Sequence, residues 1–177
     1  TERTAEIARM ILADYYVNVQ ADQVGLESRV VSALLRAAKS HPEWAMATAG
    51  TPWYGAGCLE NRDRVFLAAR GCTCGRHSIV ERFSRGGEKH MNISRPVLRH
   101  LGVYGYSPPF LREYAANEPS PDEATLHLEQ CRALKMGVEI GVVRVRTSAR
   151  SVDSAVDRDA VEKSWRNKKD KGDPRED

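Results

Sequence analysis

The segment from Asp22 to Ser40 constrains the fold more than any other, because its apolar residues recur at helical spacing. They fall at i, i+1, i+4, i+5 and i+8, and they are Val30, Val31, Leu34, Leu35 and Ala38. This spacing places them in one stripe along an α-helix. A helix with one apolar face must pack against another element, so the rest of the chain has to supply a second layer.

Helical patterns recur elsewhere in the chain and supply candidates for that layer. Between Glu2 and Val17 the apolar residues keep helical spacing, which predicts an antiparallel helix pair at the start of the chain. Further helices are predicted at 94–101, at 109–117 and at 120–136. The last of these begins with a capping box formed by Ser120 and Glu123.

Two segments depart from this helical pattern. Residues 137–147 are rich in valine and alternate apolar with basic side chains, which predicts a strand. Residues 58–83 fit either two helices or a hairpin that turns at 71–75, and the polar run at 60–64 favours helices. The sequence therefore predicts a mainly α fold: one domain over 1–168 with a small β element near 137–147, followed by a charged, flexible tail over 169–177.

Length and hydropathy narrow the class of protein. The chain has 177 residues, enough to bury a core without disulfides. No apolar run approaches the roughly 18 residues that a membrane span requires. The first residues lack the basic start and apolar centre of a signal peptide. We therefore expect a soluble, intracellular protein with no membrane partner.

A cysteine–histidine cluster is the first candidate site. Cys58, Cys72, Cys74 and His77 fall within twenty residues, and glycines flank the central pair. Thiolate and imidazole are the usual ligands of structural zinc, so these four residues are the predicted metal ligands and zinc is the predicted cofactor. The alternative is that the cysteines are plain structural thiols. In a third interpretation Cys58 is a catalytic nucleophile at the start of a helix, with His77 or His100 as its base.

The second candidate site is basic. Residues 62–100 hold nine lysines and arginines against three acidic residues, while the net charge of the whole chain is only +3. Arginine suits phosphate, and two tyrosines that follow could stack on bases. The predicted nucleic-acid contacts are Arg70, Arg76, Arg82, Arg85, Lys89, Arg95 and Arg99.

These two candidate sites lead to three functional hypotheses. The first is a non-enzymatic nucleic-acid-binding (RNA-binding) or assembly protein, whose basic segment is held by the zinc site. The second is a structural subunit of a larger assembly, with a protein partner or a second copy of the chain as neighbour. The third is a cysteine-dependent hydrolase or transferase that uses Cys58. The balance of these features favours a protein that is not an enzyme.

Overall fold

The computed structural model describes residues 1–53, 62–71, 77–86 and 97–169, with side chains described up to residue 166. A β-sheet with helices on both faces makes up this part of the chain. The strands are β1 (Tyr16–Val19), β2 (Gln23–Val24), β3 (Met46–Pro52), β4 (Val65–Arg70), β5 (His77–Arg85), β6 (Val97–Tyr106), β7 (Ile140–Arg144) and β8 (Arg150–Ser151).

Six of these strands form the central sheet, in the order β1-β6-β3-β7-β5-β4. Strands β3 and β7 pair in parallel, and every other described pair is antiparallel. Strand β4 also pairs with the first three residues of β6, where Phe66 lies opposite Arg99. The sheet therefore curls back on itself at that end. Strands β2 and β8 form a separate two-stranded ribbon.

The described helices are α1 (Glu2–Met10), α2 (Ser28–Ser40), α3 (Pro108–Ala116), α4 (Pro121–Leu126), α5 (Gln130–Lys135) and α6 (Ala155–Lys169). Helix α2 buries Val30, Leu34 and Ala37 in one core cluster, together with Trp44. The second core cluster is built around β-strand residues such as Met46 and includes residues of α1, α3 and α5. Among the described helices, none is both long and apolar enough to cross a membrane.

The prediction of a mainly α fold is wrong, because the protein has a mixed α/β architecture around a central sheet. The error comes largely from β6, whose last seven residues are all buried. A strand covered on both faces shows no apolar–polar alternation, so it does not carry the pattern by which strands are recognised. The helix predicted at 94–101 overlaps this strand.

Two further predictions of local structure were wrong. The described parts of 58–83 contain β4 and most of β5, which pair as the hairpin that the sequence offers as the alternative to two helices. Helices α1 and α2 both exist, but β1 and β2 lie between them in the chain. Helix α1 packs against α3, and α2 packs on the sheet, so they do not form an antiparallel pair.

Other local predictions were confirmed. The strand predicted within 137–147 is present as β7. Ser120 and Glu123 form both hydrogen bonds of the predicted capping box at the start of α4. Both features depend on short-range patterns. The domain and tail limits stay predictions, since residues 170–177 lie outside the described part.

Candidate functional site

A cavity of about 650 Å³ opens where β6, the β2–β8 ribbon and the start of α5 meet. This volume is typical of a site for a small organic ligand. Polar and charged side chains dominate its lining. They come from separate parts of the chain and include Asn18, Gln20, Asp22, Arg64, Arg85, Arg99, His100, Tyr104, Glu129, Gln130, Arg150, Ser151 and Asp153.

Three arginines, Arg64, Arg99 and Arg150, bring positive charge to one part of this cavity. Arg99 lies where β6 is paired on both sides, with Thr51 and with Phe66. Its Nη2 donates a hydrogen bond to the carbonyl of Ala149 at 2.7 Å. Burial, together with the charges of Arg64 and Arg150, lowers the pKa of Arg99 to about 10. The guanidinium is still charged at neutral pH.

No described carboxylate forms an ion pair with Arg64, Arg99 or Arg150. The charges of Arg64 and Arg150 act on Arg99, so these three like charges repel one another. An anionic ligand would relieve that repulsion, and a carboxylate or phosphate matches the planar guanidinium fork. This part of the cavity is therefore suited to an anion.

His100 is a buried, neutral imidazole whose tautomer is fixed by its neighbours. Burial, and secondarily the charge of Arg99, lowers its pKa to about 3. Its Nε2 lies 2.9 Å from Oγ1 of Thr48. That hydroxyl donates its one proton to the carbonyl of Val103 at 2.8 Å, so it must accept from Nε2. Nδ1 therefore carries the lone pair, and His100 offers a hydrogen-bond acceptor.

The β2–β8 ribbon brings acidic groups to the same cavity. Ser151 Oγ donates a hydrogen bond to Asp22 Oδ2 at 2.8 Å, which orients that carboxylate. The backbone amide of Val152 donates to the carbonyl of Asp22 at 3.1 Å. Asp153 follows directly and also lines the cavity. Across the described ranges, no three His, Cys, Asp or Glu side chains converge as a complete metal site.

The predicted site residues are dispersed in the structure. Arg85, Arg99 and His100 line the cavity. Arg82 is exposed on β5, and Arg70 is exposed at the end of β4, where its Nη2 lies 3.5 Å from Glu139. His77 is the first residue of β5, a nine-residue strand that ends at Arg85. Six predicted residues lie outside the described part: Cys58, Cys72, Cys74, Arg76, Lys89 and Arg95.

Several cavity residues were missed from the sequence, notably Gln20, Asp22, Ser151 and Asp153. The sequence places Asp22 near the start of a helix, whereas in the structure it lies between β1 and β2. A short apolar strand followed by polar residues would have been the available signal, since ligands often bind where strands end. Ser151 and Asp153 carried no comparable signal, because only the tertiary fold brings the β8 region to β2.

Comparison with known proteins gives a consistent family assignment. A family model described as cytidylyltransferase matches residues 1–140. A 3-deoxy-manno-octulosonate cytidylyltransferase from Leptospira interrogans serogroup Icterohaemorrhagiae serovar Lai (strain 56601) is 31% identical over 175 residues, covering 96% of this chain and 67% of the relative. The enzyme of the same description from Acidithiobacillus ferrooxidans (strain ATCC 53993 / BNL-5-31) is 36% identical, covering 91% and 68%. The chain thus spans about two thirds of the length of these relatives.

Solved structures share the fold. The structure of CMP:2-keto-3-deoxy-manno-octonic acid synthetase complexed with CTP superposes with a TM-score of 0.78 at 24% identity, covering 94% of this chain and 67% of that one. Apo UDP-glucose pyrophosphorylase superposes with a TM-score of 0.65 at 11% identity, covering 93% and 59%. At these identities the two structures support the mixed α/β fold and nothing finer.

Proposed function

The chain belongs to the cytidylyltransferase family, and from this membership we propose that it takes part in transferring a cytidylyl group from CTP to an acidic sugar of the 3-deoxy-manno-octulosonate class. The relatives that carry this activity by name extend over a longer chain. The proposal for this chain therefore starts from the residues in its own cavity.

Family membership corrects the predictions of function. The hypothesis of a non-enzymatic nucleic-acid-binding or assembly protein is wrong, because the family consists of enzymes. The prediction that the protein is not an enzyme is wrong for the same reason. The basic segment does not form one surface, because strand geometry directs its side chains to different sides. Arg85 and Arg99 line the cavity, whereas Arg70 and Arg82 are exposed outside it. The subunit and Cys58 hypotheses are likewise replaced by nucleotidyl transfer.

The observation that carries the proposal is the arginine group at Arg64, Arg99 and Arg150. A sugar acid of this class has one carboxylate, which the guanidinium fork of Arg99 can bind through two parallel hydrogen bonds. The low dielectric around a partly buried arginine strengthens such a contact. We assign the carboxylate of the sugar to this group.

The neutral side chains of the cavity suit the hydroxyl groups of the same sugar. His100 offers an acceptor at Nδ1, and Gln20 and Gln130 each carry a donor and an acceptor. A site that hydrogen-bonds substrate hydroxyls rejects analogues lacking them, because its buried polar groups are then left without partners. We expect these three residues to select for hydroxyl pattern.

Asp22 and Asp153 are the residues that would hold a magnesium ion. Magnesium prefers oxygen ligands and is usually bound by one or two carboxylates together with substrate phosphates. Two carboxylates lining one cavity, one of them oriented by Ser151, fit that requirement. Bound there, such an ion would supply neutralisation of the charge that develops on the phosphate oxygens.

The proposed reaction is a displacement at phosphorus. A hydroxyl oxygen of the sugar attacks the α-phosphorus of CTP and forms a new P–O bond. The bond between that phosphorus and the oxygen bridging to the β-phosphate breaks, and pyrophosphate leaves with the electron pair. The hydroxyl proton passes to solvent. The chain contributes by orienting the sugar, since positioning supplies much of the rate gain in such transfers.

Binding of the sugar acid, measured by titration calorimetry, tests this proposal. We expect Arg99→Met to weaken binding by about 10- to 100-fold, because a hydrogen-bonded charge contact is lost. Arg82→Met is the matched control, since it removes the same charge from an exposed position outside the cavity. Equal effects of the two variants, or none from Arg99→Met, would contradict the assignment. The methyl ester of the sugar should bind as weakly to the unaltered protein as the free acid binds to Arg99→Met.

A further inference from the structure

The turn between α4 and α5 leads into the proposed sugar site. Leu126 ends α4 and Gln130 begins α5, so residues 127–129 join the two helices. Glu129 and Gln130 both line the cavity. Gln130 is only 4% exposed, although its side chain is polar. The place of its amide in the cavity therefore depends on how firmly this short turn is held.

Arg85 of β5 holds the first half of the turn. Its Nε donates a hydrogen bond to the carbonyl of Leu126 at 2.6 Å, and its Nη2 donates to the carbonyl of His127 at 3.3 Å. His127 adopts a left-handed conformation, with φ at 53°. That conformation is uncommon for a residue other than glycine, and it turns the chain away from the axis of α4. The end of α4 is thus fixed to the sheet.

Tyr114 of α3 holds the second half of the turn. Its hydroxyl donates a hydrogen bond to the carbonyl of Glu129 at 3.0 Å. The same carbonyl accepts from the backbone amide of Arg132 at 3.1 Å, so both of its lone pairs are used. Tyr114 is fully buried, and this burial raises the pKa of its hydroxyl above the usual value, so the group stays protonated and donates. Tyr114 itself lies outside the cavity lining formed by the described residues.

The ring of Tyr114 is held in place by further contacts. Arg132 Cζ lies 4.5 Å from the centre of the ring, which is a cation–π contact. Arg132 donates to both carboxylate oxygens of Glu123, at 2.8 and 2.6 Å. Phe110 also packs against the ring, with centroids 5.6 Å apart. These contacts leave the Tyr114 hydroxyl little freedom to move away from Glu129.

We propose that Tyr114 is a positioning residue for substrate selection. By fixing the Glu129 carbonyl, it sets where the adjacent Gln130 places its amide. This role rests on the proposed function, in which Gln130 binds a hydroxyl of the sugar acid. Such a hydrogen bond depends steeply on distance and angle, so a small displacement of Gln130 weakens discrimination against analogues that lack the hydroxyl. Tyr114 therefore affects selectivity without contacting the sugar.

Titration calorimetry with deoxy analogues of the sugar acid tests this role. The hydroxyl that Gln130 binds is identified first, as the one whose removal no longer weakens binding to Gln130→Leu. Tyr114→Phe should reduce the binding penalty for removing that hydroxyl by about 5- to 10-fold, the equivalent of one hydrogen bond. Tyr16→Phe is the matched control. Tyr16 is also a buried tyrosine whose hydroxyl donates to a backbone carbonyl, that of Ile11, and it lies outside the cavity lining.

A double-mutant comparison separates positioning from a general loss of stability. If Tyr114 acts through Gln130, adding Tyr114→Phe to Gln130→Leu should leave the binding penalty unchanged. Three results would overturn the proposal: a full penalty in Tyr114→Phe alone, an equal reduction in Tyr16→Phe, or a further change in the Gln130→Leu background.

Hydrogen exchange gives a readout that needs no sugar. The amides of Cys131 and Arg132 donate to the carbonyls of Leu128 and Glu129, at 3.0 and 3.1 Å. Tyr114→Phe should speed exchange at these two amides by about 5- to 10-fold, and Tyr16→Phe should leave it unchanged. Unchanged exchange in Tyr114→Phe overturns the proposal. If the unaltered protein does not bind the sugar acid, the proposed function fails, and the exchange rates alone decide whether Tyr114 positions the turn.

Discussion

Replacing Thr48 with valine should destabilise the fold through His100. Valine has nearly the shape of threonine but lacks the hydroxyl. That hydroxyl accepts from His100 Nε2 at 2.9 Å and donates to the Val103 carbonyl at 2.8 Å. Thr48 is fully buried and His100 is 8% exposed, so water cannot readily replace either bond.

The expected magnitude follows from these two contacts. Each lost hydrogen bond costs about 1 kcal/mol net, and a buried N–H left without an acceptor costs about 1–3 kcal/mol. The free energy of unfolding should therefore fall by about 2–4 kcal/mol. Thr48→Ser keeps both hydrogen bonds and removes one methyl group, which costs about 1 kcal/mol.

Urea unfolding, followed by tryptophan fluorescence, measures the difference. The midpoint should fall further for Thr48→Val than for Thr48→Ser, with an unchanged slope. Ring ¹⁵N shifts of His100 in the unaltered protein should show the proton on Nε2. If Thr48→Val is as stable as Thr48→Ser, or if the proton is on Nδ1, the assignment of Nδ1 as an acceptor in the cavity is refuted.

Three further predictions concern stability and its pH dependence. Below pH 6.5 the unfolded chain protonates His100 while the folded chain, with a pKa of about 3, does not, so about 2 kcal/mol of stability should be lost between pH 7 and pH 5. His100→Gln should reduce this pH dependence of the free energy of unfolding, measured by urea unfolding at each pH. An unchanged pH dependence would assign it to other groups. Gly141→Ala would place a Cβ 1.9 Å from the Trp44 ring; it should lower stability by at least about 1–3 kcal/mol, and an unchanged melting temperature would contradict this packing. Arg132 is 4% exposed and pairs with Glu123 at 2.6 Å. Arg132→Met should therefore lower the free energy of unfolding by about 3–5 kcal/mol, and adding Glu123→Gln should restore part of that loss. Full additivity of the two changes in the double-mutant cycle would show that the pair is not coupled.

The sequence predicted those elements whose signals are local. The capping box at Ser120 and the apolar stripe of α2 depend on spacings of three to eight residues, and both features are present. The sheet was missed because its main strand, β6, is buried on both faces. Pairing partners such as β3 and β7 are separated by about ninety residues, and no local pattern encodes that contact.

The site was predictable only in fragments. Composition and residue type single out Arg85, Arg99 and His100, but they predict roles in nucleic-acid binding or in cysteine chemistry. Their common position in one cavity follows from strand register and from the ribbon that carries Ser151 to Asp22. Neither is visible in a single sequence. The sequence therefore identifies individual residues with suitable chemistry, whereas only the fold shows which of them lie together in the cavity.

The most direct test of the central claim is ³¹P NMR of CTP incubated with the protein, magnesium and 3-deoxy-manno-octulosonate. We expect CTP to be converted into pyrophosphate and a phosphodiester of CMP with the sugar, in equal amounts, and only when the sugar is present. CTP that stays intact, or that is hydrolysed to CMP at the same rate without the sugar, would contradict the proposed cytidylyl transfer to an acidic sugar.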